Sequence, residues 1–214
     1  NQLKSEAIRL IGEALHVPCS RIEKISVLKK GMTNRSFLFE CNGAKYIMRV
    51  PGEGTDRLID RSREYAVYRT LQGKDISDRV IYMDPHNGYK ITAFIADARC
   101  CDPYCTEDVI KCMDKLRTLH QMKLKVDHTF DLFEKAELYE SFWNGEPSVY
   151  RDYEETKRNI ASLKPFIDSC DSEICLTHID AVPDNFLLVK GPEGTEQIVL
   201  IDWEYAGMQD PHVD

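Results

Sequence analysis

Two short apolar runs near the end of the chain, Phe186–Val189 and Gln197–Ile201, flank the turn-forming residues Gly191-Pro192-Glu193-Gly194. Such a pair folds as a tight antiparallel hairpin. Closing the hairpin about that turn brings Asn185, just before the first run, beside Asp202, just after the second. Their side-chain oxygens then sit one strand spacing apart at the open end. Magnesium is held by a few such oxygens together with substrate phosphates. Asn185 and Asp202 are therefore candidate metal ligands.

Upstream, the stretch Thr177-His178-Ile179-Asp180 sets a His-x-Asp five residues before Asn185. In catalytic loops of the H-R-D-x-x-x-x-N type, the Asp takes the proton of the acceptor hydroxyl and the Asn binds magnesium. Asp180 is accordingly the candidate catalytic base. A turn or capping Asp is the plainer explanation of the motif alone; its register with Asn185 and Asp202 outweighs that. His178 reads as a structural residue under the loop. Glu204 lies two residues beyond Asp202 and points the same way in an extended chain. It could take a second metal or face a cationic substrate.

The first half carries the positive charge. Apolar residues at helical spacing predict a helix over 3–15, followed by strands over 25–29, 36–41 and 45–50. Asn42-Gly43 between the last two is a strong hairpin signal, because a type I′ turn needs positive φ at both central residues. Counting back across that hairpin pairs Arg49 with Ser36, at the same end as the turn Gly31-Met32-Thr33-Asn34. Backbone N–H groups of such a turn can cradle phosphate, and Arg49 can contact it. Glu64, on a helix expected over 58–71, is the natural ion-pair partner of Arg49.

Strands over 80–83 and 89–94, joined by a Pro85–Gly88 turn, complete the first half. Residues 96–105 read as irregular and as the boundary between lobes. A helix follows over 106–123, with Val109, Ile110, Met113, Leu116 and Leu119 marking its buried face. Helical patterns recur near 133–143 and 150–168, and a further short apolar run covers 176–179. The expected class is α+β and two-lobed. Residues 1–95 form a nucleotide-binding lobe, 96–105 a connection, and 106–214 a mostly helical catalytic lobe with a small hairpin.

Composition excludes several alternatives. The net charge of −8 disfavours nucleic acid, where phosphate neutralisation supplies much of the affinity, and favours a cationic ligand. No stretch approaches the roughly 20 apolar residues of a membrane span. With no signal peptide, the expected location is cytoplasmic. The eight cysteines lie mostly within apolar periodic stretches and are read as free thiols. Cys100, Cys101 and Cys105 match no zinc spacing. The sequence sets no oligomeric state.

The whole pattern resembles the choline/ethanolamine kinase family, within the wider aminoglycoside-phosphotransferase and protein-kinase-like fold. The resemblance rests on Gly31-Met32-Thr33-Asn34, Tyr46–Gly52, Leu116–His120, the His178–Asn185 loop, and Ile201-Asp202-Trp203-Glu204-Tyr205-Ala206-Gly207 with Asp210-Pro211. It implies an ATP-dependent phosphotransferase acting on the hydroxyl of choline or ethanolamine, with Mg2+ as cofactor and ATP as co-substrate. Another small alcohol or an aminoglycoside is the alternative acceptor; a non-catalytic nucleotide-binding protein is the alternative of another class. The resemblance also implies that Phe94, Ile95 and Ile201 contact the nucleotide with Gly31, Met32, Thr33, Asn34, Arg49 and Glu64. Asp180, Glu204 and Tyr205 would meet the acceptor, although Tyr205 could equally pack in the core. Lys30 stands where the family often has glycine. Family members continue beyond the point matching Asp214, so either the C-terminal part of the catalytic lobe is missing from this sequence or the choline pocket is built otherwise; the start at Asn1 without Met suggests that first residues are missing too.

Overall fold

A computed structural model, describing residues 2–30, 34–143, 145–191 and 195–214, shows the first half folded as an antiparallel sheet under a helix. Helix α1 spans Gln2–Leu15. Strands β1 (Ile22–Lys30), β2 (Asn34–Cys41), β3 (Ala44–Pro51), β4 (Val80–Met83) and β5 (Lys90–Ala93) pair in the order β1-β2-β3-β5-β4. β1 begins earlier than expected because Ile22 already pairs with Cys41. Asn42 and Gly43 have φ of 50° and 79°, the positive pair a type I′ turn demands.

Period-two alternation splits the sheet into two faces. Phe37, Phe39, Cys41, Met48 and Ile91 point to one side and bury Ala7 and Ile11 of α1 in a common core. Burying each large apolar side chain contributes roughly 1.5–3 kcal/mol. On the other side Ser36 pairs with Arg49, and Arg49 with Lys90, forming a polar row across three strands.

Helix α2 covers Arg61–Leu71 rather than starting near 58. The Asp60 carboxylate accepts the backbone N–H of Ser62 at 3.0 Å and of Arg63 at 3.2 Å. A side-chain cap of this kind stabilises a helix start by about 1 kcal/mol, and the chain before it forms a short 3-10 turn, Thr55–Arg57. Helical spacing puts Glu64, Val67, Tyr68 and Leu71 on the buried stripe of α2. Val67, Tyr68 and Leu71 join a second core with Leu116, Leu119, Leu176, Phe186, Leu200 and Trp203. One helix thus anchors into the second core while its first turn carries Glu64 toward the polar row of the sheet.

Helix α3 (Thr106–Gln121) is rotated from the expected face. Its buried residues are Asp108, Cys112, Leu116 and Leu119, whereas Ile110 and Met113 are exposed. The cause is Asp108: the Arg99 guanidinium and the Asp102 N–H satisfy it inside the fold. α4 spans Leu132–Ser141. The pattern expected over 150–168 is two helices, α5 (Tyr153–Ala161) and α6 (Lys164–Ser169). Pro165 explains the break, since its ring would clash with the carbonyl of residue 161 in a continuous helix.

Three short strands, β6 (Arg99–Cys100), β8 (Phe186–Lys190) and β9 (Glu196–Leu200), form a sheet in the order β6-β8-β9. The connection expected to be irregular therefore contributes an edge strand. The run near 176–179 is a strand only over β7 (Cys175–Thr177), which pairs with an unforeseen β10 (Gly207–Gln209). The turn residues 192–194 lie outside the described residues. Among the described residues, no helix is long and apolar enough to cross a membrane.

Candidate active site

The β8–β9 hairpin forms with Phe186 opposite Leu200, so Asn185 falls opposite Ile201 and Asp202 lies one residue further along than expected. Just beyond it, the Ile201 N–H donates to the Asn185 carbonyl at 2.9 Å. Asp202 follows directly, with φ of 66°. A non-glycine residue in that left-handed region is uncommon, and here it turns the chain out of the extended path. Asp202 and Glu204 consequently meet different surroundings.

The loop holding Asp180 is fixed from several directions. The Asn185 side-chain amide donates to the Asp180 carbonyl at 2.9 Å and to its Oδ2 at 3.0 Å. His178 Nε2 donates to the Ile201 carbonyl at 2.9 Å, while Nδ1 accepts the Asp180 N–H at 3.3 Å. This is the neutral tautomer, and burial pushes the His178 pKa down accordingly. The Asp214 carboxylate accepts the N–H groups of His178 at 2.9 Å and Ile179 at 2.6 Å. Ile179 has φ of 74°, a strained backbone for a β-branched residue.

Arg49 and Glu64 form a two-pronged ion pair with Nη1–Oε1 at 2.5 Å and Nη2–Oε2 at 2.7 Å. Both residues are buried. Arg49 Nη2 also donates to the Gly88 carbonyl at 3.1 Å. Two further cations converge on Glu64: Arg61 Nη1 at 3.0 Å and Lys90 Nζ at 3.4 Å. Burial alone would push the Glu64 pKa up; Lys90, Arg49 and Arg61 overcome that and hold it down at about 2.

Arg61 reaches across to the other side of the site. Its Nη1 lies 3.1 Å from Glu204 Oε2, its Nη2 donates to Asn34 Oδ1 at 3.1 Å, and Asn34 Nδ2 donates to Glu204 Oε2 at 2.9 Å. The start of β2, the start of α2 and the loop after β9 are thereby tied together. Glu204 is taken up by these partners and buried.

A cavity of about 620 Å³ opens between the sheet and the hairpin. Asn34, Arg49, Phe94, Ile95, Asn185, Ile201 and Asp202 line it, together with Lys90. Asp180 is joined to this group through Asn185. Glu64, Glu204 and Tyr205 stand outside the lining, and Tyr205 packs edge-on against Phe130 with ring centres 6.3 Å apart. Gly31, Met32 and Thr33 lie outside the described residues.

Arg49 Nη1 lies 4.0 Å from Asp202 Oδ1. Burial, then the neighbouring Glu204 carboxylate, pushes the Asp202 pKa up to about 6 against the pull of Lys90 and Arg49. Its side chain remains 38% exposed, so cavity water moderates the burial effect, and the repulsion from Glu204 secures the direction. A carboxylate in that state gains by meeting a cation. With its amide nitrogen committed to Asp180, Asn185 has its oxygen left for the same cation. Two protein oxygens on this cavity suit magnesium, which keeps waters and substrate oxygens for its other positions.

Three residues of this site escaped the sequence reading: Arg61, Lys90 and Asp214. Arg61 left a signal, since it precedes Glu64 by three on one helix face. Lys90 and Asp214 left none that local pattern could decode.

The choline/ethanolamine kinase family model matches residues 25–214. The chain is 26% identical over 196 residues to Protein LicA of Haemophilus influenzae, across 86% of this chain and 54% of that protein. It superposes on the choline kinase LicA of Streptococcus pneumoniae with a TM-score of 0.82 and 28% identity, across 99% of this chain and 72% of that one. A LicA structure in complex with AMP matches at a TM-score of 0.74 and 30% identity, over 89% of this chain and 64% of that one. The chain spans about half the length of the Haemophilus influenzae relative. With Asn185 and Asp202 on one cavity and a family match over residues 25–214, the chain belongs to the choline/ethanolamine kinase family.

Proposed function

We propose that this chain transfers the γ-phosphoryl group of ATP to the hydroxyl of choline, with ethanolamine as the near alternative. One observation carries the proposal: Asn185 and Asp202 line one cavity, with Asp180 bonded to Asn185 and with Arg49 Nη1 4.0 Å from Asp202 Oδ1. The similarity to LicA proteins, one solved with AMP, supports the nucleotide side.

In this mechanism Asp180 orients the acceptor hydroxyl and takes its proton as the oxygen attacks the γ-phosphorus. The new O–P bond forms as the bond to the β-phosphate bridging oxygen breaks. Asn185 holds one Asp180 oxygen, so the other is presented in a fixed direction. Asn185 and Asp202 would hold magnesium, which would supply positive charge to offset that of the phosphates. Arg49, locked by Glu64, faces the phosphates with no reorganisation. Phe94, Ile95 and Ile201 supply apolar walls for the base. Glu204 supports the Asp202 loop through Arg61 and Asn34, and Tyr205 would meet the acceptor. A cytoplasmic location agrees with this use of ATP.

An ATP-consumption assay over choline, ethanolamine and an aminoglycoside tests the proposal. Turnover with choline or ethanolamine is expected, and Asp180→Ala should lower it by about a hundredfold or more. A preference for the amino sugar, or an Asp180→Ala variant with near-normal rate, would overturn it.

A further inference from the structure

Lys90 lines the cavity beside Arg49, yet the mechanism above gives it no role. The register explains how it arrived there: Arg49 on β3 and Lys90 on β5 are direct partners across the sheet, so both side chains leave the same face. Among the described residues lining the cavity, Arg49 and Lys90 are the basic ones, against Asp78, Asp97, Asp184 and Asp202. A polyanion entering this space meets two fixed cations and no others in that lining.

Both cations keep N–H groups beyond those that their protein partners take. Both Nη atoms of Arg49 are engaged by Glu64, and Nη2 also by the Gly88 carbonyl. Lys90 Nζ donates to the Tyr68 hydroxyl at 2.6 Å and approaches Glu64 Oε1 at 3.4 Å. An ammonium has three N–H groups, which leaves the third for a ligand. Tyr68 in turn donates to Asp78 Oδ1 at 3.1 Å, so the Lys90 head group is held in place rather than swinging freely.

The local charges point the same way. Three cations gather on the single Glu64 carboxylate. Glu204 lies nearer to Arg61, at 3.1 Å, than to Arg49, at 3.7 Å. One positive charge of the Arg49–Lys90 pair is then balanced by Glu64. The other is left with Asp202, the candidate metal ligand.

We propose that Lys90 is a second phosphate-binding cation of the nucleotide site, acting beside Arg49 on the terminal phosphates. This rests on the nucleotide-binding part of the proposed function. A purely structural Lys90 would support every nucleotide equally, whereas a phosphate contact discriminates by phosphate number.

Calorimetric titration of the full chain with ATP, ADP and AMP, each with magnesium, tests it. For Lys90→Met the expected result is a loss of about tenfold or more in ATP affinity, the scale of one charge-assisted contact, with AMP affinity changed less than about twofold. Lys90→Arg should restore most of the ATP preference. If Lys90→Met does not fold, Lys90→Gln, which keeps hydrogen bonding to Tyr68, is read by the same ratio. An ATP-to-AMP affinity ratio unchanged in the variant, with wild type binding both, would overturn the role of Lys90 alone. Absence of nucleotide binding by wild type would overturn the proposed function together with it.

Discussion

The Asp214 carboxylate accepts the Ile179 N–H at 2.6 Å, directly beneath the residue that precedes the candidate base, where φ is 74°. The same carboxylate accepts the His178 N–H and lies 2.9 Å from His120 Nε2. Its side chain is fully buried. Asp214 therefore offsets the strain of the catalytic loop. Asp214→Ala is expected to destabilise the fold by about 2–4 kcal/mol, the scale of losing hydrogen bonds to a buried charge. Any turnover should fall at least about tenfold with the ATP KM little changed, because Asp180 loses its direction. Urea unfolding and steady-state kinetics read the two effects. A variant with lower stability but normal kcat would separate Asp214 from the positioning of Asp180.

Asp202 and Asn185 both line the cavity, and Asp202 Oδ1 lies 4.0 Å from Arg49 Nη1. Asp202→Asn keeps the shape and removes the charge. The magnesium concentration giving half-maximal ATP binding should rise by about tenfold or more, the scale of one charge-assisted contact. A magnesium titration at fixed ATP checks this, and an unchanged midpoint would remove Asp202 from the metal site.

Glu64 is a carboxylate whose pKa lies at about 2 in the folded chain, below its ordinary 4.5. The native state thus favours its ionised form. The resulting stability is fully present above pH 4.5 and is lost as pH falls from there toward 2, on the order of 3 kcal/mol for this shift. Glu64→Gln should be less stable at about pH 7, because it leaves buried Arg49, Arg61 and Lys90 without their shared counter-charge. Its stability should also fall less steeply through the acid window. Urea midpoints for both proteins at several pH values from about 7 to about 3 provide the comparison, and parallel curves would contradict it.

Gly88 has φ of 70°, and a Cβ there would lie 2.6 Å from Arg61 Cδ and 2.7 Å from Cγ. The Arg61 stem must shift to admit a methyl group, which disturbs the Glu204 and Asn34 contacts it makes. Gly88→Ala is expected to cost about 1–3 kcal/mol from backbone strain and displacement. Nucleotide affinity should weaken as well. Thermal melting with and without magnesium-ATP measures both, and a variant as stable and as responsive as wild type would show that Arg61 moves freely.

Sequence alone settled whatever depends on a turn and the residues beside it. The Asn42-Gly43 dipeptide specified the β2–β3 hairpin, and with it the Ser36–Arg49 pair. The hairpin at 186–200 likewise brought Asn185 next to Ile201 and Asp202. In such segments a few backbone angles and a period of two residues determine the register. Helix ends were less legible, because the Asp60 cap and the ring of Pro165 shifted boundaries that apolar spacing blurs. Tertiary structure decided the remainder. β5 inserts between β3 and β4, so Lys90 faces Arg49, a neighbour that reading strands in order would not assign. Arg61 meets Glu204 and Asp214 meets Ile179 across long stretches of chain. Those contacts form only when both cores pack, because the choice of non-consecutive neighbours depends on burial summed over the whole fold rather than on any local torsion.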